Sequence, residues 1–137
     1  MDINIEERVS MARANFASGY NCAQSVALAF ADLYKIEPSL MATIAAPFGG
    51  GIGRLREVCG TVSGMAIIGG FIAPSTDPKD QAAKALNYKL VKGFAEEFRS
   101  ANGSVVCREL LASGKRPCAE LVEMAARIVA SELVMSY

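Results

Sequence analysis

The chain contains no histidine. That absence removes Ser-His-Asp and Cys-His catalysis, histidine metal ligands and the Glu-x-x-His di-iron pattern of helical proteins. An excess of either charge is missing too: 14 Lys and Arg balance 14 Asp and Glu. A nucleic-acid binder draws most of its affinity from neutralising phosphates, so this balance argues against one. The first residues, Met1 to Glu7, lack the basic region and apolar run of a secretory signal. The longest apolar stretch, Val58 to Pro74, is Gly-rich, holds Thr61 and Ser63, and falls short of the ~20 residues of a membrane span. The expectation is a cytoplasmic chain without membrane insertion, where thiols are usually reduced. Tryptophan is absent and aromatics are scarce, while glycine is frequent. Together these suggest close helix packing and a possible homo-oligomer.

What remains is enough for a core. Hydrophobic residues form 52% and charged residues 20%, which excludes disorder. At 137 residues the chain fits one domain, expected over 1–137, because domains commonly hold ~100–150 residues.

The pattern is helical almost throughout. Ile5, Val9, Ala12 and Phe16 recur at helical spacing, and Gly19 stops that helix. Asn21 can cap a second helix over 22–35, and Pro38 opens a third to about Ala46. After the break at Pro47 to Gly53, a fourth runs from about Glu57 to Ile72. Gly60 and Gly64 share one of its faces and let a neighbouring backbone come close. A long amphipathic helix is predicted over 78–101, capped by Asp77, with Ala82, Leu86, Leu90 and Phe94 inward. Ser104 can cap a short helix to Leu111, and Pro117 starts the last, to about Met135. No strand alternation appears. The fold class read from this pattern is all-α, a single helical bundle of five to seven helices.

Chemistry rests on four cysteines, Cys22, Cys59, Cys107 and Cys118. No C-x-x-C is present, so neither a zinc knuckle nor a thioredoxin-type dithiol is indicated. Each cysteine falls in or beside a predicted first helical turn. There, unpaired N–H groups and the helix dipole favour an anion and lower a thiol's pKa. Arg54 and Arg56 precede Cys59, and Lys115 and Arg116 precede Cys118; these cations are expected to lower both further. Gly49, Gly50 and Gly51 with Arg54 and Arg56 form a candidate substrate or anion-binding loop before Cys59, extended by Gly60 and Gly64. The pattern fits neither the dinucleotide nor the phosphate-loop fingerprint. Glu6-Glu7, Glu96-Glu97 and Glu120 with Glu123 read as solvated helix faces.

Gly19-Tyr20-Asn21-Cys22-Ala23, then Cys59-Gly60-Thr61-Val62-Ser63-Gly64, then Cys107 and Cys118, resemble the C_GCAxxG_C_C family. Its members are small proteins described as redox-active, with four cysteines and a Cys-Gly-Ala-x-x-Gly motif. The likeness covers nearly the whole chain. Thr61 departs from it, standing where the motif has Ala, and brings a hydroxyl beside Cys59.

The leading expectation is thiol–disulfide exchange with a redox partner protein or a small thiol or disulfide, needing no cofactor. A low-pKa Cys59 attacks and Cys22 resolves, with Cys107 and Cys118 as a second pair. Four cysteines allow three pairings. The alternative is a metal site, zinc or an iron–sulfur cluster, held by Cys22, Cys59, Cys107 and Cys118. The third is a non-catalytic interaction module whose cysteines pack as small hydrophobes.

Overall fold

A computed structural model describes residues 2–136. Among these residues seven α-helices run in order: α1 (Ile5–Ala17), α2 (Cys22–Leu28), α3 (Pro38–Ala45), α4 (Gly60–Ile72), α5 (Gln81–Asn102), α6 (Cys107–Ser113) and α7 (Cys118–Ser136). Short 3-10 turns at Ala31–Tyr34 and Ala46–Phe48 flank α3. The protein is all-α, as its sequence periodicity implies. Among the described residues no helix is long and apolar enough to cross a membrane.

Several boundaries differ from the sequence pattern, each for a local reason. The apolar run 22–35 is two elements: α2 ends at Leu28, and the chain tightens into a 3-10 turn over Ala31–Tyr34. Arg8 of α1 holds that turn, donating to the carbonyl of Ala29 and to both carboxylate oxygens of Asp32. α5 starts at Gln81 instead of Pro78, because the Asp80 carboxylate accepts from the Ala83 amide. Asp77 caps only its own turn, accepting from Lys79. Ser104 does not cap α6 directly: it accepts from the Val106 amide and donates to Glu109. Asn21 caps α2 as expected, in a reciprocal box with Gln24.

The core gathers Val26, Ala27, Phe30, Met65, Ile68, Phe98, Val122, Val129 and Leu133, all fully buried. α5 departs from the expected orientation in its first half. Phe94 and Phe98 are buried, but Ala82 is exposed and Leu86 is 63% exposed. The apolar stripe of α5 is therefore only half covered.

The closest approach is that of α4 to α2. A Cβ on Gly64 would meet the Ala23 carbonyl and the Val26 Cβ, each at 2.9 Å. One turn earlier, the space a Cβ on Gly60 would occupy is taken by Cys22 Sγ. Both small positions face α2, as their spacing indicates.

This contact yields a paired prediction. Gly64→Ala forces backbone apart and should cost about 1–3 kcal/mol in urea unfolding. Gly70→Ala, in the same helix with nothing within 4 Å of the added carbon, should stabilise by up to about 1 kcal/mol through lost unfolded-state entropy. Equal effects from the two would contradict the packing role of Gly64.

Candidate functional site

The segment between Phe48 and α4 has an unusual backbone. Gly50, Gly51, Ile52, Gly53 and Arg54 all have φ between +54° and +73°, and Arg56 follows at +64°. Consecutive left-handed residues cost roughly 1–2 kcal/mol each outside glycine, and a branched Ile52 there is a rare conformation. Besides the Leu55 amide, which donates to Ile52, five amides close the turn upon itself. Ile52 donates to Phe48, Gly53 to Pro47, Arg54 to Gly49, Arg56 to Gly50 and Glu57 to Gly51, at 2.8–3.2 Å. A Cβ on Gly51 would meet Cys107 Cβ and the Arg56 and Glu57 backbone at 2.7–2.8 Å. The glycines thus supply φ values and room for Cys107, and those five donors serve the loop itself.

The chain leaves this turn and pairs with the segment before α6. Val58 and Val106 form an isolated antiparallel bridge. The Cys59 amide donates to Val105 at 2.8 Å, the Cys107 amide to Glu57 at 2.6 Å and the Arg108 amide to Arg56 at 3.2 Å. An exposed ion pair, Arg108 to Glu57 at 2.7 Å, crosses the same stitch. It fixes the start of α6 beside the start of α4.

All four cysteines consequently stand at helix starts: Cys59 is the N-cap of α4, and Cys22, Cys107 and Cys118 are the first residues of α2, α6 and α7. All four line one cavity of about 180 Å³. Its remaining wall is mostly apolar, from Phe16, Leu110, Leu111 and Leu121, with Thr61 at its buried side and Arg56 as its cation. All four are free thiols.

Burial separates them. Cys59 is 6% exposed, Cys22 and Cys107 are half-buried, and Cys118 is exposed at the mouth. Cys59 shares a 3.0 Å hydrogen bond with the buried Thr61 hydroxyl. Loss of water pushes the Cys59 thiol up to about 11, against the opposing help of Thr61 and with a small push from Cys22. Cys118 is also raised: partial burial of its sulfur acts first, then the nearby Cys22 and Cys107, against the pull of Arg56. The expected low-pKa Cys59 is therefore corrected, because desolvation outweighs the helix start.

The cations are distributed differently from their sequence neighbours. Arg56 donates to Cys107 Sγ at 3.8 Å. Arg54 turns outward to a separate hollow of about 370 Å³ shared with Asn21, Gly49 and Gly50. Arg116 bonds to the Ala101 carbonyl and Asn102 at the end of α5 instead of accompanying Cys118. Of the proposed loop residues, Gly50, Arg56 and Gly60 line the thiol cavity. Gly49 makes room for the Asn21 side chain, and Gly64 packs one turn deeper against α2. The stitch and the apolar wall were not anticipated; the β-branched pair Val105-Val106 after Gly103-Ser104 is the one local signal for the stitch.

An all-thiolate donor set suits zinc or an iron–sulfur cluster. Yet among the described residues no three Cys, Asp or Glu side chains stand together in a way that could hold one ion. Such a centre would require the thiols to be drawn inward.

The raised Cys59 has a stability consequence. The folded thiol keeps its proton to about pH 11, whereas the unfolded one releases it near 9.0. Its contribution is intact below pH 9 and lost as pH rises through 11. The wild-type protein should lose up to about 2–3 kcal/mol more than Cys59→Ala across that window. Thr61→Val should move the loss to higher pH. Parallel pH profiles for wild type and Cys59→Ala would contradict the assignment.

Comparison with known proteins gives a family model described as "Putative redox-active protein (C_GCAxxG_C_C)", matched over residues 20–132. The match spans all four cysteines and the Gly60–Gly64 contact. No curated protein and no solved structure matches the chain.

Proposed function

The chain belongs to the C_GCAxxG_C_C family, and from that premise we propose that it carries out thiol–disulfide exchange through a relay centred on Cys22. One observation carries this reading: four free thiols from four helix starts line a single small cavity. Cys22 Sγ rests against Gly60, the residue after Cys59, and Cys22 shares the cavity with Cys118.

The order of events follows from exposure. Cys118, at the mouth, meets the substrate disulfide R–S–S–R′. Its thiolate attacks one sulfur, forming Cys118–S–S–R, and R′S⁻ leaves and takes a proton. The Cys22 thiolate then attacks the Cys118 sulfur and expels RS⁻, which is also protonated. The substrate is reduced to two thiols, and two protein thiols are oxidised to a Cys22–Cys118 disulfide. Cys59 then attacks Cys22 while its proton passes to the departing Cys118 thiolate, which moves the disulfide inward and frees Cys118 as a thiol. When one thiolate of a reducing dithiol later attacks Cys22, Cys59 leaves as the thiolate, receives a hydrogen bond from Thr61 and takes up a proton. The second thiolate of that dithiol then attacks the reductant's own sulfur in the mixed disulfide, freeing Cys22 and leaving the reductant as a disulfide. Arg56 is positioned to accompany negative charge at Cys107 and Cys118. At 180 Å³ the cavity lies below the ~300–1,000 Å³ of ordinary ligand pockets. This supports a single thiol-bearing side chain or a very small disulfide as the group that enters.

The test is oxidation with a stoichiometric small disulfide, followed by alkylation and peptide mass mapping. Wild-type protein should lose two hydrogens and carry Cys22 linked to Cys59 or Cys118. Cys22→Ser should lose at least about nine-tenths of the reversible intramolecular disulfide, a tenfold effect corresponding to ~1.4 kcal/mol. Four unoxidised thiols in wild type, or unchanged disulfide yield in Cys22→Ser, would overturn the relay. Because Cys118 is raised, its rate of attack on the disulfide should still climb above pH 9.0.

A further inference from the structure

The first half of α5 carries an apolar stripe that the rest of the chain covers only in part: Leu90 packs against the core, whereas Leu86 is exposed. With the end of α4 it forms the walls of an open groove of about 640 Å³, lined by Ile72, Pro74, Leu86, Leu90, Gly93 and Phe94. The lining also includes Lys89 and Glu97, for which no ion pair is formed among the described residues.

Gly93 adds an independent observation. It lies mid-helix, is exposed, and has nothing within 4 Å of an added Cβ. Glycine costs backbone entropy in a helix interior, and nothing inside this chain needs the space. Gly60 and Gly64, by contrast, are each filled by α2. An open helical glycine in an apolar seam suits the close approach of another helix.

We propose that this face binds a second copy of the chain, with the two α5 helices packed antiparallel about a two-fold axis. Ala83, Leu86, Leu90, Gly93 and Glu97 recur at alternating spacings of three and four, the seam of a helix pair. A two-fold axis at Gly93 sets the glycines of the two copies against each other, with each Leu90 packing beside that crossing. The same register brings Glu97 beside the other copy's Lys89. The contact is isologous, so every interaction occurs twice. Opposite charges at either end of one seam complement themselves only in the antiparallel sense, which selects a second copy over an unrelated apolar ligand. The proposal is independent of the thiol chemistry, because the groove shares no lining residue with the cysteine cavity.

Sedimentation equilibrium of the full chain under reducing conditions, across about 1–100 µM, tests this. A reversible dimer is expected. Leu86→Glu, at a side chain already exposed, should weaken it at least about tenfold while leaving the helical circular dichroism unchanged. Lys89→Glu and Glu97→Lys should each weaken it several-fold, and the double variant should recover to within about threefold of wild type. A monomer throughout the range would overturn the proposal. So would a dimer indifferent to all three substitutions, or native mass spectra showing the groove filled by a lipid or peptide in a monomeric chain.

Discussion

The contact between α2 and α4 governs the rest of the structure. Two positions without side chains, Gly60 and Gly64, bring the helices close enough for Cys22 Sγ to rest on the backbone of α4. Any larger residue at 60 would displace that sulfur. The Cys-Gly pairing in the sequence thus has a mechanical meaning: the first residue provides a buried thiol, and the second provides the seat for another. Burial then becomes the dominant electrostatic influence. It raises the Cys59 thiol although the residue caps a helix, because removing a small anion from water costs more than the end of a helix returns. A thiol with this character keeps its proton at neutral pH.

The left-handed turn over Gly50 to Arg54 complements this contact. It reverses the chain tightly enough to lay residues 56–59 against 105–108, so that Cys107 enters from α6. The strain at Ile52 and Arg54 is offset by the amides closed within the turn. Arg56 results from the same geometry: its backbone holds the stitch, and its guanidinium reaches Cys107. Structural and chemical roles coincide in a few residues, and their cluster lies on one side of the molecule while the partly covered α5 seam lies along another cavity.

The helices were largely legible in the sequence, because 3.6-residue periodicity, Asn21, Pro38 and Pro117 mark them locally. The placement of cysteines at helix starts and the role of Gly60 and Gly64 were legible for the same reason. What periodicity could not supply was depth. Cys59 and Cys118 look alike as residues preceded by arginines, yet one is buried against Thr61 and the other stands at the mouth. Arg116 adjoins Cys118 by one residue between them and still turns to Asn102, because a long side chain follows the nearest unsatisfied acceptors. The Val58–Val106 bridge joins segments 48 apart in sequence, and two-residue pairings leave almost no alternation to detect. Periodicity predicts an inward stripe on α5 because it reports which face is apolar, not what covers it, and Leu86 stays exposed.

In the proposed function the clustered thiols form an exchangeable two-electron system. Equilibrating the protein anaerobically in dithiothreitol buffers of graded redox poise, and following free thiols, tests it most directly. A reversible transition is expected, with the two-electron slope of about 30 mV per tenfold change in the oxidised-to-reduced ratio. Four thiols that remain reduced across the whole range of poise, or that oxidise without returning, would contradict it.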